Sequence, residues 1–256
     1  MYRVGEKSLS SNKFKNMKRT WDLFKRENIF ILKRLFYFFC YAFNASKRRL
    51  EIIKLFIKRT FDILFSLIGV ILLIPISIIM AILNLITRNK GPVLYKHKRI
   101  GKNGKEFTMY KFRTMYEGAD KDLEKVLNTN EKLNSEWNAT YKLQKDPRVT
   151  KFGKFLRKTS IDEIPQFINV LKGDMSIVGP RPITEKELER FGIAKDKVLS
   201  MKPGITGYWA THGRTNTTYE ERVKMEEKYV DEFSLFLDFK IMLRTIITVI
   251  RKEGAL

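Results

Sequence analysis

The first strong pattern along the chain is a run of 25 residues, 63–87, without a single charged side chain. Most of its positions are branched aliphatic residues, and the run is longer than a helix in a soluble core requires, so it predicts a membrane segment. A signal peptide does not fit, because the run starts about sixty residues into the chain and lacks a small-residue cleavage site.

Basic residues flank both ends of this segment, whereas a spanning helix is expected to carry its positive charges on one side. They are Lys58 and Arg59 before it, and Arg88 and Lys90 after it. Pro75 falls at the midpoint, where it removes a backbone donor and predicts a bend. Each arm of about twelve residues reaches roughly one leaflet. We therefore favour a re-entrant helical hairpin over residues 52–90, with both ends on the cytoplasmic face, over a spanning helix.

Residues 1–51 form a basic leader in which aromatic and aliphatic clusters alternate with Lys and Arg. From position 21 onward the pattern is typical of a helix in the headgroup layer, where basic side chains meet anionic lipid and rings such as Phe36 sink below. A soluble helical hairpin is the alternative. The first twenty residues predict a flexible basic tail.

Residues 91–256 have the composition of a cytosolic domain, for which we expect a mixed, mostly helical α/β fold with amphipathic helices at the membrane interface. Residues 146–160 predict a helix with an apolar stripe among lysines, either exposed to solvent or resting on lipid headgroups. Residues 231–252 predict a second such helix, either in the core or lying on the bilayer. Its stripe consists of Phe236, Phe239, Leu243, Ile246, Ile247 and Ile250.

The Asn-Gly pair at 103–104 lies between two runs of strand character and predicts a β-hairpin with a two-residue turn. In that register His97 faces Tyr110 and lies on the face opposite to Lys111 and Arg113. We therefore interpret His97 as a packing residue.

The charge balance narrows the choice of partners. The chain holds 50 Lys and Arg against 28 Asp and Glu, a net charge of +22, which points to nucleic acid, an anionic membrane surface or phosphorylated substrates. The single cysteine, Cys40, excludes an internal disulfide, and a total of two histidines argues against a Ser/His or multi-His metal centre. Any chemistry must therefore come from carboxylates or basic residues.

Two neighbouring carboxylates, Asp162 and Glu163, stand in the segment TSIDEIPQFINVLKG, residues 159–173. Ser160 and Glu163 fit a capping box, which is a structural role. Alternatively, Pro165 begins the helix and leaves both carboxylates just outside it. Either way they lie beside free backbone donors, where phosphate also binds. A cation such as Mg²⁺ would relieve the repulsion between carboxylate and phosphate, and an aspartate could then attack phosphorus.

Arg181 lies between two prolines in the sequence GPRP, residues 179–182. The prolines fix the local backbone, so the guanidinium is presented with little entropy left to lose and suits bidentate phosphate recognition. A surface turn with a solvated arginine has the same sequence. The acid pair close by favours a phosphate site.

Several ordered stretches resemble the bacterial sugar transferase family, the monotopic phosphoglycosyl transferases. They are KRTFD (58–62), the Pro-broken apolar segment, GPVLYKHKRIGKNGKEFTMYKFRTM (91–115), DPRVTKFGKFLRKTSIDEIPQFINVLKGDMSIVGPRP (146–182) and MKPGITGYW (201–209). The resemblance covers about residues 52–256. It implies an enzyme at the cytoplasmic face of the bacterial plasma membrane that moves a sugar-1-phosphate from a UDP-sugar to undecaprenyl phosphate, with release of UMP, at the start of exopolysaccharide, capsule or glycoconjugate assembly.

The resemblance also implies roles for single residues. Asp162 matches the nucleophilic aspartate, which is also a metal ligand, and Glu163 matches its acidic partner. Basic positions of the substrate site are matched by Arg181, Arg157 and Arg214, with Lys111 and Arg113 in a further family motif. The motif that opens the re-entrant helix is matched by Lys58, Arg59 and Asp62, and Pro75 stands at its break. The implied cofactor is Mg²⁺, with Mn²⁺ as a substitute.

The implied partners are UDP-sugar, undecaprenyl phosphate and anionic membrane lipids, without nucleic acid and with a homodimer as one possible assembly. The sequence departs from the family pattern at His97, where glutamine is expected, at Ile74-Pro75, where Ser-Pro is common, and at YWATH (208–212). A second class is a non-catalytic basic protein at the membrane that binds nucleic acid or anionic lipid. Such a protein would bind with a steep salt dependence and would be indifferent to Asp162→Asn.

Overall fold

The computed structural model describes residues 22, 31–86, 91–141, 143, 145–213 and 217–251. Within them the chain is mostly helical with two small two-stranded sheets, which confirms the mixed, mostly helical fold. The chain divides into two compact units, Met1–Phe56 and Ile57–Leu256. In chain order the elements are α1 (Ile31–Ile86), β1 (Leu94–Ile100), β2 (Glu106–Phe112), α2 (Leu123–Asn128), α3 (Glu131–Thr140), α4 (Lys151–Thr159), α5 (Gln166–Lys172), β3 (Ser176–Val178), α6 (Glu185–Leu188), α7 (Lys195–Leu199), β4 (Gly204–Thr206), α8 (Tyr208–His212), α9 (Tyr219–Asp231) and α10 (Leu235–Arg251).

In the first unit, α1 runs from Ile31 to the unit boundary without a turn, so the alternative of a helical hairpin is wrong for this part of the leader. Large apolar side chains are exposed along it, among them Phe36, Phe39 and Phe43. This part of α1 therefore presents a large exposed apolar surface. The tail predicted for residues 1–20 lies outside the described residues.

The predicted β-hairpin is present, but its predicted register is wrong by one residue. His97 pairs with Met109, whereas the predicted partner is Tyr110. The reason is the turn, because the loop 101–105 holds five residues and contains a short 3₁₀ turn in which Asn103 is left-handed, with φ 57°. A shift of one residue reverses the faces of a strand. His97 therefore shares its face with Lys111 rather than opposing it.

The core between the hairpin and α5 supports the region that follows α4. It consists of Phe107, Met109, Val170 and Met175. A second cluster joins the long helix to the hairpin and to α4, and consists of Leu73, Met80, Phe112 and Leu156. The segment that carries Asp162 and Glu163 lies between these clusters, because Leu156 of α4 belongs to one and Val170 of α5 to the other.

The apolar segment of α1 has one face covered by the rest of the second unit. The buried positions follow helical spacing and are Asp62, Ser66, Gly69, Leu73 and Met80. A side chain in place of Gly69 would clash with the ring of Phe167, so glycine permits this close contact. Aliphatic residues on the remaining faces are exposed, and Pro75 lies inside the helix. Among the described residues one helix, over Arg49–Asn84, is long and apolar enough to cross a membrane.

The C-terminal helix α10 packs on the domain, but not through its predicted apolar stripe. Its predicted apolar stripe points outward, and Phe236 and Ile250 are 66% and 73% exposed. The face packed on the domain is instead formed by Asp238, Ile241 and Thr248. The helix therefore packs through one face and presents an open apolar surface on the other.

Candidate active site

The acid pair lies in a tight connection between two helices. Helix α4 ends at Thr159, Ser160 takes a left-handed conformation with φ 56°, and residues 161–163 form a 3₁₀ turn before Pro165 leads into α5. The Ser160 side chain makes no capping hydrogen bond, so the predicted capping box is wrong. The alternative, with both carboxylates just outside α5, is the arrangement found.

Helix α5, which follows the acid pair, is fixed at its C-terminal end. Arg59 donates hydrogen bonds to the carbonyl oxygens of Val170 and Leu171 at 2.6 and 2.9 Å. A cation at this end also complements the helix dipole. Asn169 accepts from the backbone N–H of Tyr110 at 3.0 Å, which ties the same helix to β2. The carboxylates therefore project from a rigid support.

Asp162 is buried, with 7% of its surface exposed. Burial raises the pKa of Asp162 to about 6, against the lowering effect of Lys111, and Glu163 adds to the rise. Lys111 forms an ion pair of 2.6 Å with Glu163 rather than with Asp162. Asp162 is thus an incompletely compensated carboxylate that is still mostly ionised at neutral pH.

Arg157 reaches the same region from the last turn of α4. Its Nε donates to the Thr114 hydroxyl at 3.0 Å, and burial lowers the pKa of this guanidinium. The contact depends on close packing of α4 against the chain after β2, because a Cβ at Gly153 would clash with the Thr114 carbonyl. Arg113, one residue before Thr114, keeps a buried Nε with no hydrogen-bond partner among the described residues.

Arg181 is delivered by the second sheet, in which β3 and β4 run parallel and pair Val178 with Thr206. Its backbone N–H donates to Glu226 at 3.0 Å. Its guanidinium lies over the Trp209 ring at 5.3 Å, a favourable contact for a cation. Contacts to both its backbone and its side chain therefore hold Arg181 in place.

The motif at the start of the apolar helix grips the strand that precedes Arg181. Lys58 forms a buried ion pair of 2.5 Å with Asp238 and donates to the Val178 carbonyl at 2.9 Å. Asp62 accepts from the Ser176 hydroxyl and the Ile177 N–H at 3.0 and 2.9 Å. These residues position the site and do not line it.

One open cleft of about 1200 Å³ brings the predicted residues together. Those along its wall are Lys111, Arg113, Arg157, Asp162, Glu163 and Arg181. Arg214 lies outside the described residues. The cleft suits an anionic ligand with several charges, because basic side chains dominate this part of its wall.

Sequence reasoning missed a second charged group on this cleft and misplaced one residue of its wall. The missed group consists of Arg99, Glu187 and Arg222, which are far apart in the chain. Glu187 completes a capping box with Thr184, and the Thr-x-x-Glu spacing of that motif is the one local signal that could have singled it out. His97, interpreted as a packing residue, lines the cleft.

The carboxylates at the cleft are the side chains that could bind a divalent cation. The described residues include no group of three or more His, Cys, Asp and Glu side chains arranged to hold a metal. Asp162 and Glu163 together offer two carboxylates. Mg²⁺ commonly binds through one or two carboxylates and completes its shell with substrate phosphates and water. The residues therefore fit Mg²⁺ held jointly with a phosphorylated ligand.

The structure is that of a small, mostly helical α/β domain with a basic cleft, joined to a long apolar helix. The family model described as bacterial sugar transferase matches residues 53–252. The chain belongs to the bacterial sugar transferase family, as its motifs predicted.

Relatives share this region at substantial identity. The undecaprenyl-phosphate galactose phosphotransferase of Salmonella typhimurium is 44% identical over 212 residues, 83% of this chain and 43% of that protein. The exopolysaccharide production protein ExoY of Rhizobium meliloti is 44% identical over 199 residues, 77% of this chain and 87% of that protein. The UDP-N-acetylgalactosamine-undecaprenyl-phosphate N-acetylgalactosaminephosphotransferase of Aeromonas hydrophila is 36% identical over 211 residues, 78% of this chain and 45% of that protein. The chain thus spans less than half the length of the Salmonella and Aeromonas proteins.

Proposed function

We propose that the chain transfers a sugar-1-phosphate from a UDP-sugar to undecaprenyl phosphate and releases UMP, in the first membrane step of exopolysaccharide, capsule or glycoconjugate assembly. The observation that carries this proposal is the buried, incompletely paired Asp162 on a cleft lined by basic side chains. The names of the Salmonella and Aeromonas relatives, which include undecaprenyl phosphate and phosphotransferase activity, support it.

In the first step, an Oδ atom of Asp162 attacks the phosphorus that carries the sugar. The new bond joins that oxygen to phosphorus, and the bond between phosphorus and the bridging oxygen breaks, so that UMP leaves with the bonding electrons. A desolvated carboxylate is a better nucleophile than a hydrated one, and the pKa of about 6 leaves Asp162 ionised at neutral pH. The product is an aspartyl phosphosugar.

In the second step, a phosphate oxygen of undecaprenyl phosphate attacks the same phosphorus. The bond to Asp162 breaks and the carboxylate is regenerated. Arg157 and Arg181 are placed to offset the charge of the phosphoryl groups, and Lys111 holds Glu163 in position. Mg²⁺, when bound by Asp162 and Glu163, supplies charge neutralisation at the phosphates, and Mn²⁺ can take its place.

The covered face of the apolar helix supports a re-entrant placement at the cytoplasmic face. Lys58 contacts the domain at one end of the segment, and Asn84 donates to the Gly91 carbonyl at 3.0 Å at the other. Leu73 and Met80 pack against the domain in between. A helix with one face held against a polar domain does not suit a straight path through the bilayer, so a segment that enters and returns on one side is the better fit. The helix is continuous through Pro75, where we expect it to bend in the membrane.

This placement lets both substrates reach the carboxylate from their own phases. The nucleotide sugar arrives from the cytosol and the lipid phosphate from the headgroup layer. The exposed apolar stripes of α1 and α10 would rest in the acyl region, and the basic excess of the chain would hold anionic headgroups.

The proposal is tested by measuring UMP release from a panel of UDP-sugars, with undecaprenyl phosphate and with Mg²⁺, Mn²⁺ or a chelator. Wild-type protein is expected to release UMP with at least one sugar and to need the divalent ion. Asp162→Asn should lower turnover at least about a thousandfold, because it removes the nucleophile. Asp196→Asn, the same change at an exposed position away from the cleft, should leave turnover unchanged. Equal turnover of Asp162→Asn and wild type would contradict the proposal.

A further inference from the structure

A second charged group lies on the same cleft, apart from the acid pair. Its centre is the buried carboxylate of Glu187, which pairs with Arg99 at 3.2 Å and with Arg222 at 3.1 Å. The backbone N–H and the hydroxyl of Thr184 donate to Glu187 at 2.8 and 3.0 Å. The carboxylate is therefore fully used in holding the two arginines and Thr184.

Arg222 completes this support without reaching the ligand space. Its guanidinium lies over three rings, those of Trp209, Tyr219 and Phe191, at 5.1, 5.0 and 5.8 Å. It does not line the cleft, whereas Arg99 and Glu187 do. Arg222 is thus a fixed countercharge that orients Glu187 from behind.

Arg99 of this group and Arg181 of the GPRP segment both line the cleft. Each keeps a buried Nε with no hydrogen-bond partner among the described residues. Burial, together with the charge of Arg181, lowers the pKa of Arg99 to about 10. Two like charges therefore lie on one wall of the cleft, an arrangement that an anion would relieve.

The anion that suits this space is a phosphate group. Guanidinium groups bind phosphate oxygens through parallel hydrogen bonds, and both arginines are held by other contacts before any ligand arrives. Arg99 donates to Glu187 and to the Pro182 carbonyl, the latter at 3.3 Å. Arg181 is held by Glu226 and stacks on Trp209.

We propose that Arg99 and Arg181 form a phosphomonoester site that holds the phosphate of the departing nucleoside monophosphate and then the phosphate of the lipid acceptor. The inference rests on the proposed function. In an in-line displacement the group that leaves and the group that enters lie on the side of phosphorus opposite the aspartate. UMP and undecaprenyl phosphate both end in a phosphate monoester. One site can therefore serve both steps in turn.

The experiment compares wild type, Arg99→Gln and the matched control Lys96→Gln, each as full chain in lipid nanodiscs. Lys96 lies on the same strand, is exposed and faces away from Arg99, so both variants lose one positive charge. UMP binding is measured by calorimetry, and the KM for undecaprenyl phosphate is measured in steady state. Arg99→Gln should weaken UMP binding about tenfold or more and raise the KM for the lipid by a similar factor. Lys96→Gln should change neither.

Loss of Arg99 also leaves Glu187 with one fewer partner, so a second variant controls for folding. Arg99→Lys keeps a positive charge beside Glu187 but removes the planar donors that bind phosphate in parallel. It should unfold at a temperature close to that of wild type and show a loss of binding for both phosphates.

An unchanged UMP affinity, or a loss confined to one of the two phosphates, would overturn the shared site. Failure of wild-type protein to release UMP would instead count against the proposed function. Calorimetry with UMP does not depend on turnover, so the two failures are distinguishable.

Discussion

Two buried carboxylates on one cleft, Asp162 and Glu187, differ in how their charge is compensated. Burial raises the pKa of both. At Glu187, however, three arginines and the Thr184 N–H outweigh burial and hold the pKa at about 2, whereas at Asp162 the value stays at about 6. Lys111 is the strongest compensating charge at Asp162, yet its ion pair is with Glu163. The comparison shows that the number of partners, more than burial, separates a structural carboxylate from a reactive one.

The largest expected effect on stability comes from removing the well-paired carboxylate. Glu187→Gln leaves Arg99 and Arg222 buried without their countercharge, and we expect a loss of about 3–5 kcal/mol in the free energy of unfolding. Thermal or denaturant unfolding measures this loss. Glu189→Gln, on an exposed side chain two positions after Glu187, is the control and should change little. A loss of equal size in both variants would contradict the role of the buried pairs.

A smaller effect of opposite sign is expected at the poorly paired carboxylate. Asp162→Asn should raise the stability at pH 7.5 by up to about 3 kcal/mol, because the native state no longer holds a desolvated charge. The pKa of Asp162 is higher in the folded than in the unfolded chain, so the cost of this charge is complete above pH 6 and fades as the pH falls toward 4. Unfolding midpoints of wild type, Asp162→Asn and the control Asp196→Asn, each measured at pH 7.5 and near pH 4, test this difference in stability.

The third effect is a shift of the pH profile. The kcat/KM for UDP-sugar should fall below pH 6 as Asp162 takes up a proton, since only the carboxylate attacks phosphorus. Lys111→Met removes a positive charge that lowers the pKa of Asp162. The pH at which kcat/KM falls to half its maximum on the acid side should therefore rise by roughly one pH unit. A profile with the same midpoint in wild type and Lys111→Met would break the proposed link between this lysine and the nucleophile.

Local patterns in the sequence predicted elements that border the cleft. The helix predicted within residues 146–160 is present as Lys151–Thr159, and the β-hairpin is also present, because both depend on neighbouring residues. The register of the hairpin could not be predicted, because an Asn-Gly pair can also stand inside a five-residue loop. The capping box failed for a related reason, since Ser160 is used to end α4 in a left-handed conformation.

Long-range pairing could not be predicted from local patterns. Arg99, Glu187 and Arg222 meet across separations of 88 and 35 residues, and each alone has the sequence context of a surface charge. The apolar stripe of α10 was visible, but spacing alone does not say which face packs on the domain. Asp238 decides this, because its buried ion pair with Lys58 turns the polar face inward.

The mass of the intact protein after mixing with UDP-sugar and Mg²⁺, in the absence of lipid acceptor, tests the central claim most directly. The account predicts that wild-type protein gains the mass of one phosphosugar on Asp162, that Asp162→Asn gains none, and that undecaprenyl phosphate removes the added mass. A protein that turns over rapidly with both substrates, yet gains no mass on that side chain under single-substrate conditions, would contradict it.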